Sequence, residues 1–277
     1  MDMIGFIGYF ILNKKHKNGG NMDSVNEYYN SIIKFINEFK NRNYFLFFYA
    51  DSLTYKYIKN NIELWNKCFI FELNYEDLYF YKKFYNNIIN LQYNHYNCTG
   101  LLYDNNDNFS YENIIKTLII WHSKIELFIL TNKIIIDKGL KLTHLLYLDS
   151  GVFRNDRYKF IKEFHENNFL LKTYNDININ YTEEAINMKI EILPTSKFLT
   201  DGAYEVGANH FLFSINVIKK IFDLYEFYFE SLLSLNILTT EQRVFTLVFR
   251  KLYLINASLF TFKRNIFGCS YTIDLHN

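Results

Sequence analysis

The sequence has little cysteine, almost no net charge and no apolar run long enough to cross a membrane. Its three cysteines, Cys68, Cys98 and Cys269, are odd in number and widely spaced, which argues against a disulfide framework and for a reducing compartment. Lysine and arginine (30) nearly balance aspartate and glutamate (29). The composition therefore gives no electrostatic support for a nucleic-acid partner or an anionic membrane surface.

The N-terminal apolar run and the chain length indicate one domain inside the cell. Residues 4–12 are apolar, but the run is too short for a membrane span and follows no basic leader, so it predicts a buried strand. We therefore expect no membrane span and a cytoplasmic location.

A length of 277 residues fits one large α/β unit, and no repeat or linker divides it. Residues 1–277 are predicted to form a single domain.

The sequence does contain a regular alternation of apolar runs and helical patterns. Hydrophobic residues make up 49% of the chain and aromatic residues 19%, which is enough for a large core. Apolar runs of strand length lie at residues 4–12, 44–50, 68–73 and 142–148. Apolar residues at helical spacing lie at residues 24–40, 55–65, 75–91 and 111–131. This order predicts an α/β fold with a Rossmann-like, mixed but mostly parallel sheet flanked by helices.

The second half of the chain has a looser pattern. Strands are predicted at residues 169–172, 188–193, 209–214 and 253–262. An amphipathic helix is predicted at residues 215–235. Another helix is predicted to start near residue 239, because Thr239 and Gln242 have the spacing of a capping box.

Residues 143–153 carry the clearest chemical signal, because an apolar strand ends there in Asp149-Ser150-Gly151. Ligands of open α/β sheets bind beyond the carboxyl ends of the strands, so Asp149 is expected at the mouth of a cleft. Its small neighbours allow the close approach that a metal-bridged diphosphate requires. The same residue types are also favoured in a simple turn, so the motif alone leaves both interpretations open.

Three further segments, taken together with that motif, form a recognisable sequence pattern. They are Asn26-Glu27-Tyr28-Tyr29, the stretch from Tyr111 to Trp121-His122-Ser123-Lys124, and Thr240-Glu241-Gln242. In this order the four segments resemble the HtrL/YibB-like family of GT-A-type glycosyltransferases. The resemblance implies a GT-A-like domain that transfers a sugar from a UDP- or GDP-sugar to a glycan or another acceptor.

The resemblance also implies a divalent metal, Mn²⁺ or Mg²⁺, at an Asp-x-Asp motif whose first acid falls on Asp149. The second acid falls on Gly151, which is a departure from the pattern. Metal dependence is therefore open, because a hard divalent ion relies on such oxygens together with the phosphates. Asp156 can replace the missing acid only if the following loop folds back.

Other candidate substrate-binding residues flank the motif. Lys124 lies on the helix before the site strand, where its ammonium suits a donor phosphate; the alternative is a solvated surface lysine. The resemblance implies that the glycine-containing stretch with Gly207, Asn209 and His210 lines the pocket for the donor sugar. A polar turn before a buried strand is the alternative for each of them.

Glu241 is the first candidate for a catalytic carboxylate, because an inverting transfer needs a general base near the acceptor hydroxyl. Glu205 and Asp201 are the other candidates. A glutamate in the first turn of a helix is also favoured by the helix dipole without any catalytic role.

The sequence leaves two other functions open. Gly151 in place of an acid is the change expected in a catalytically inactive descendant that still binds nucleotide-sugars. A phosphatase of the haloacid dehalogenase type also has a strand that ends in Asp-x-small. Its motif usually lies early in the chain, whereas Asp149 is central, so sugar transfer is favoured.

Overall fold

The structure is a computed structural model. It describes residues 4–11, 22–41, 43–91, 111–148, 150, 210–255, 260–264 and 271–275. The predicted strands at residues 169–172 and 188–193 lie outside these ranges.

The described residues form one five-stranded sheet, a two-stranded hairpin and a set of helices. The strands of the sheet are β1 (Ile4–Phe10), β2 (Phe45–Ala50), β3 (Cys68–Glu72), β4 (His144–Leu148) and β5 (His210–Ser214). The helices are α1 (Met22–Asn41), α2 (Ser52–Asn61), α3 (Tyr79–Ile89), α4 (Tyr111–His122), α5 (Lys124–Asp137), α6 (Ile218–Ser234) and α7 (Glu241–Ile255). Short 3-10 helices at Tyr75–Asp77 and Ile215–Val217 precede α3 and α6. Strands β6 (Phe260–Arg264) and β7 (Tyr271–Leu275) form the antiparallel hairpin.

The larger sheet has the strand order β3-β2-β1-β4-β5. Strands β3, β2, β1 and β4 are parallel, and β5 pairs with β4 in the antiparallel direction. The predicted α/β fold with a mostly parallel sheet is therefore confirmed. The four parallel strands correspond to the first four apolar runs of the sequence, and β5 corresponds to the run at residues 209–214.

Helices cover both faces of the sheet. On one face, Phe35 of α1 packs edge-on against Phe48 of β2. On the other face, Thr131 of α5 bonds the hydroxyl of Tyr49 at 2.8 Å, and Phe128 of α5 packs against Phe213 of β5. Because successive residues of a strand point to opposite faces, β1 and β2 are buried on both sides, as their apolar runs predict.

Gly8 in β1 allows the phenylalanines of α1 and β2 to approach the strand backbone. A Cβ added to Gly8 would overlap the ring of Phe48 and would stand 2.9 Å from Cε1 of Phe35. We expect Gly8→Ala to lower the free energy of unfolding by about 1–3 kcal/mol, the usual cost of overpacking a dense core. Urea denaturation measures this loss.

A double-mutant cycle provides the control for Gly8. Phe48→Leu removes the ring that the new methyl group would meet, so Gly8→Ala should cost less in that background than in the wild type. Strictly additive losses would show that the ring of Phe48 is not the obstacle.

The prediction of one long helix at residues 111–131 is wrong in one respect, because the structure has two helices in this stretch. Ser123, with φ −71° and ψ −8°, separates α4 from α5, which starts at Lys124. Apolar residues continue through the break, so the helical period gives no sign of it. The interactions that accompany the break come from distant residues that contact His122 and Lys124.

Several other predicted boundaries also differ from the structure. Helix α2 begins at Ser52 rather than near residue 55, because Asp51 caps it by accepting hydrogen bonds from the amides of Leu53 and Thr54. Helix α7 begins at Glu241, so Thr239 is not the residue that directly precedes the helix. The last predicted strand, at residues 253–262, is replaced by the end of α7 and the start of β6.

None of the helices in the described ranges combines the length and the apolar character that crossing a membrane requires.

Candidate functional site

The carboxyl ends of β1 and β4 form the topological switch point of the sheet. From β1 the chain continues to β2 on one side, and β4 pairs with β1 on the other side. Open α/β sheets bind their ligands in the crevice at such a point. The predicted motif 149–151 follows β4 directly in the sequence, and Ser150 is the residue of the motif that the structure describes.

Ser150 ties the end of β4 to β1 and α1. Its hydroxyl donates to the carbonyl oxygen of Tyr9 at 2.9 Å, and its own carbonyl oxygen accepts from the hydroxyl of Ser31 at 2.8 Å. Ser150 is buried. The serine predicted to bind substrate is thus engaged in holding the two strand ends together, and a substrate-binding role for it stays a prediction.

Most of the other predicted site residues around the motif lie outside the described residues. They are Asp149, Gly151, Asp201, Glu205, Gly207 and Asn209. His210 is the first residue of β5, and its backbone pairs with Leu148, the last residue of β4. Of the stretch predicted to line the donor sugar, His210 therefore lies beside the end of the site strand.

Lys124 and Glu241 form a buried ion pair near the switch point. Nζ of Lys124 lies 2.9 Å from Oε1 of Glu241, and the two side chains are only 7% and 5% exposed. The same Nζ lies 5.7 Å from the centroid of the Tyr147 ring in β4. The first residues of α5 and α7 therefore meet beside the carboxyl end of β4. The surface-lysine interpretation of Lys124 is wrong.

His122 holds the segment that leads into α7. Its Nε2 lies 2.9 Å from the carbonyl oxygen of Thr239, and its Nδ1 lies 2.6 Å from the hydroxyl oxygen of Tyr225. A carbonyl can only accept, so Nε2 carries the proton and Nδ1 accepts from the tyrosine. Burial, helped by the charge of Lys124, lowers the pKa of His122 to about 3, against the raising effect of the hydrogen bond to Thr239. A neutral His122 thus positions the residues directly before Glu241.

Glu126 is a buried acid that the sequence analysis missed. Its two carboxylate oxygens accept hydrogen bonds from the backbone amides of Tyr79 and Phe80, at 3.0 and 3.3 Å. These amides belong to the first turn of α3, whose N-cap residue, Leu78, has no side chain able to cap it. Burial raises the pKa of Glu126 to about 7, against the lowering effect of the two amides. Glu126 therefore caps α3 from a different helix.

Two buried tyrosines near the carboxyl ends of the strands have hydroxyl groups with no hydrogen-bond partner among the described residues. They belong to Tyr9 in β1 and to Tyr75, which lies shortly after β3. By contrast, the hydroxyl of Tyr49, one strand over from Tyr9, is bonded to Thr131 at 2.8 Å. Buried polar groups are normally satisfied, so these two hydroxyls call for an explanation.

Carboxylates also lie at the ends of β2 and β3, where the described contacts are structural. Asp51 caps α2, and the hydroxyl of Ser52 bonds the carboxylate of Glu72. Asn74 accepts from the amide of Ser52 at 3.0 Å. Across the described parts of the chain, no three His, Cys, Asp or Glu side chains are grouped so that they could hold a metal ion. The predicted metal ligand, Asp149, is not among those residues.

Comparison of the chain with family models, with curated proteins and with solved structures finds no match. The resemblance to the HtrL/YibB-like family therefore stays a prediction. The geometry adds one fact to it: two of the four segments that carry the resemblance, residues 121–124 and 240–242, meet through Lys124 and Glu241.

Proposed function

We propose that the protein is a GT-A-like glycosyltransferase that moves a sugar from a UDP- or GDP-sugar to an acceptor hydroxyl. The observation that supports this most directly is the buried ion pair of Lys124 and Glu241, which lies beside Tyr147 at the end of β4. An ion pair that is withdrawn from water is costly to build, so its position at the switch point suggests a use.

A diphosphate suits this position for electrostatic reasons. An ammonium group withdrawn from water interacts with a phosphate more strongly than one on the surface, because the local dielectric constant is lower. Glu241 holds Lys124 in place before any ligand arrives. In the proposal, Lys124 stabilises the negative charge that develops on the nucleoside diphosphate as the sugar leaves.

The remaining donor contacts in the proposal come from the segments on either side of β4 and β5. Asp149, which directly follows β4, would hold Mn²⁺ or Mg²⁺ against the diphosphate, and Gly151 would leave room for it. Gly207, Asn209 and His210 would contact the sugar. The pairing of His210 with Leu148 supports this assignment, because it brings the start of β5 beside the end of β4.

The general base of the proposed transfer has three candidates, Glu241, Glu205 and Asp201. Glu241 is held by Lys124 inside the protein, and a base has to reach the acceptor hydroxyl. Its catalytic role therefore stays a prediction, as do those of Glu205 and Asp201. A non-catalytic descendant that only binds nucleotide-sugars is the second candidate, and Gly151 in place of the second acid favours it.

The test is a hydrolysis and transfer screen over UDP- and GDP-sugars, with and without Mn²⁺, on the wild type and Asp149→Ala. We expect Asp149→Ala to lower turnover about a hundredfold, the usual loss when a group that stabilises transition-state charge is removed. Unchanged circular dichroism and urea denaturation would show that the fold is intact.

Asp137→Ala is the matched control, since Asp137 is an exposed acid at the last residue of α5. It should leave turnover unchanged. Binding of nucleotide-sugars without turnover would favour the inactive descendant. Turnover that survives Asp149→Ala, or the absence of any nucleotide-sugar binding, would contradict the proposed site.

A further inference from the structure

Strand β3 lies at one edge of the five-stranded sheet, and β2 is its neighbour on the inner side. The amide of Leu73, directly after β3, donates to the carbonyl oxygen of Ala50 at 2.8 Å. Backbone groups alternate in direction along a strand, so the odd-numbered residues of β3 turn theirs toward β2. The backbone groups of Cys68, Ile70 and Glu72 therefore point away from the sheet.

This outer edge of β3 is open. Its outward backbone groups have no bonding partner among the described residues, apart from the amide of Cys68, which donates to the carbonyl oxygen of Trp65 at 2.9 Å. The side chains of Phe69, Ile70 and Phe71 are only half-buried. An open edge with apolar side chains is a template for pairing with another strand.

Two exposed charges near this edge form no ion pair within the described ranges. Glu72 bonds neutral groups, the hydroxyl of Ser52 and the side-chain amide of Asn74. Lys59, in the last turn of α2, lies over the ring of Tyr55 at 5.5 Å from its centroid. Helix α2 begins beside Glu72 and packs on β3, and the chain leads from its last turn to the start of β3. The strand thus has a negative charge at its end and a positive charge near its start.

This arrangement is self-complementary about a two-fold axis through Ile70. In antiparallel pairing of two copies about that axis, Ile70 faces Ile70 of the second copy, and the outward backbone groups bond one another. Each Glu72 then faces Cys68 of the other copy, at the end of the strand where Lys59 lies. Opposite charges therefore meet at two symmetric positions.

The face of β3 on the side of α5 is complementary as well. Phe69 and Phe71 lie on this face, where they stack on Phe47 and Tyr49 of β2 at 5.2 and 5.1 Å between ring centroids. In the same pairing, Phe69 faces Phe71 of the other copy at a position without backbone hydrogen bonds. Opposed side chains approach most closely at such positions, so two aromatic cross-strand pairs would form.

We propose that the protein forms a symmetric dimer in which β3 pairs antiparallel with β3 of a second copy and joins the two sheets. Pairing of one short strand buries less surface than a standard interface, so the dimer should be weak, with a roughly micromolar dissociation constant. The edge lies on the opposite side of β1 from β4, so this inference is independent of the proposed function.

Sedimentation velocity of the full chain from about 1 to 200 µM tests the proposal, since this range brackets a micromolar dissociation constant. We expect Glu72→Lys and Lys59→Glu each to weaken dimerisation about tenfold, because each opposes like charges at two symmetric positions. The double variant restores opposite charges and should return to the wild-type affinity. Both side chains are exposed, so urea denaturation should show an intact fold.

Lys34→Glu is the matched control, because it changes the net charge as Lys59→Glu does. Lys34 is an exposed residue of α1, the helix that packs on β1 and β2, so the dimer should be unchanged. Ile70→Cys tests the register. Directly opposed residues of antiparallel strands have Cα atoms about 5.5 Å apart, within disulfide range. The oxidised variant should give a covalent dimer on non-reducing electrophoresis that the wild type does not give.

Weaker dimers for both single charge variants, with recovery in the double variant, would support the inference. A monomer at every concentration, or a dimer that neither charge variant weakens and Ile70→Cys does not cross-link, would overturn it. Tighter association of Lys59→Glu would also overturn it. Lysines beside edge strands commonly prevent pairing, and that result would show that Lys59 protects the edge instead.

Discussion

Replacing Lys124 by methionine is expected to lower the free energy of unfolding by about 3–5 kcal/mol, the usual cost of leaving a buried charge without its partner. Glu241, which is 5% exposed, would lose the ammonium that balances it at 2.9 Å. Glu241→Leu is expected to cost a similar amount, because it leaves the ammonium of Lys124 buried in the same place. Urea denaturation of both variants measures these losses.

The double variant and an exposed ion pair serve as controls for this experiment. Lys124→Met with Glu241→Leu removes both charges, so it should be more stable than either single variant. Lys219 and Asp223 form an exposed ion pair whose side chains are 71% and 52% exposed. Lys219→Met should change stability by less than about 0.5 kcal/mol. A loss below about 1 kcal/mol for Lys124→Met would contradict the buried geometry.

Glu126→Gln is expected to change how stability depends on pH. The native pKa of Glu126 is about 7, well above its ordinary value of 4.5, so the native protein holds a proton that the unfolded chain releases. The stability linked to this proton is fully present below pH 4.5 and is lost as pH rises through 7. The shift corresponds to a loss of about 3 kcal/mol by pH 8, which glutamine, neutral at every pH, does not suffer.

The measurement is urea denaturation of the wild type and Glu126→Gln between pH 5 and pH 8. The stability of the variant relative to the wild type should rise by about 2.5 kcal/mol over this range. Thr131→Val, on the same helix, removes the hydrogen bond to Tyr49 without removing an acid. Its cost of about 1 kcal/mol should be the same at every pH. A constant difference for Glu126→Gln would contradict its burial.

The strands of the larger sheet could be predicted from the sequence because their signal is local. The runs at residues 44–50 and 68–73 are apolar on both faces, as expected of parallel strands covered by helices, and they correspond to β2 and β3. The break at Ser123 could not be predicted, because apolar residues continue through it. Contacts from Thr239, Tyr225 and Glu241, more than a hundred positions away, accompany it.

The candidate site shows the same division between local and distant signals. Lys124 and Glu241 could each be selected from the sequence, but their pairing spans 117 positions and follows only from the packing of α5 and α7. Glu126 was missed because a single acid in an apolar helix looks like an exposed position. Its burial depends on the amides of Tyr79 and Phe80, which no local pattern connects to it.

The cap that Glu126 provides to α3 has a consequence for the stability of that helix. An isolated helix of 11 residues is marginal in water, and the residue before α3, Leu78, cannot close its first turn. The cap comes from 46 and 47 positions further along the chain. The first turn of α3 is therefore capped only when α5 is docked against it, so the stability of α3 depends on α5.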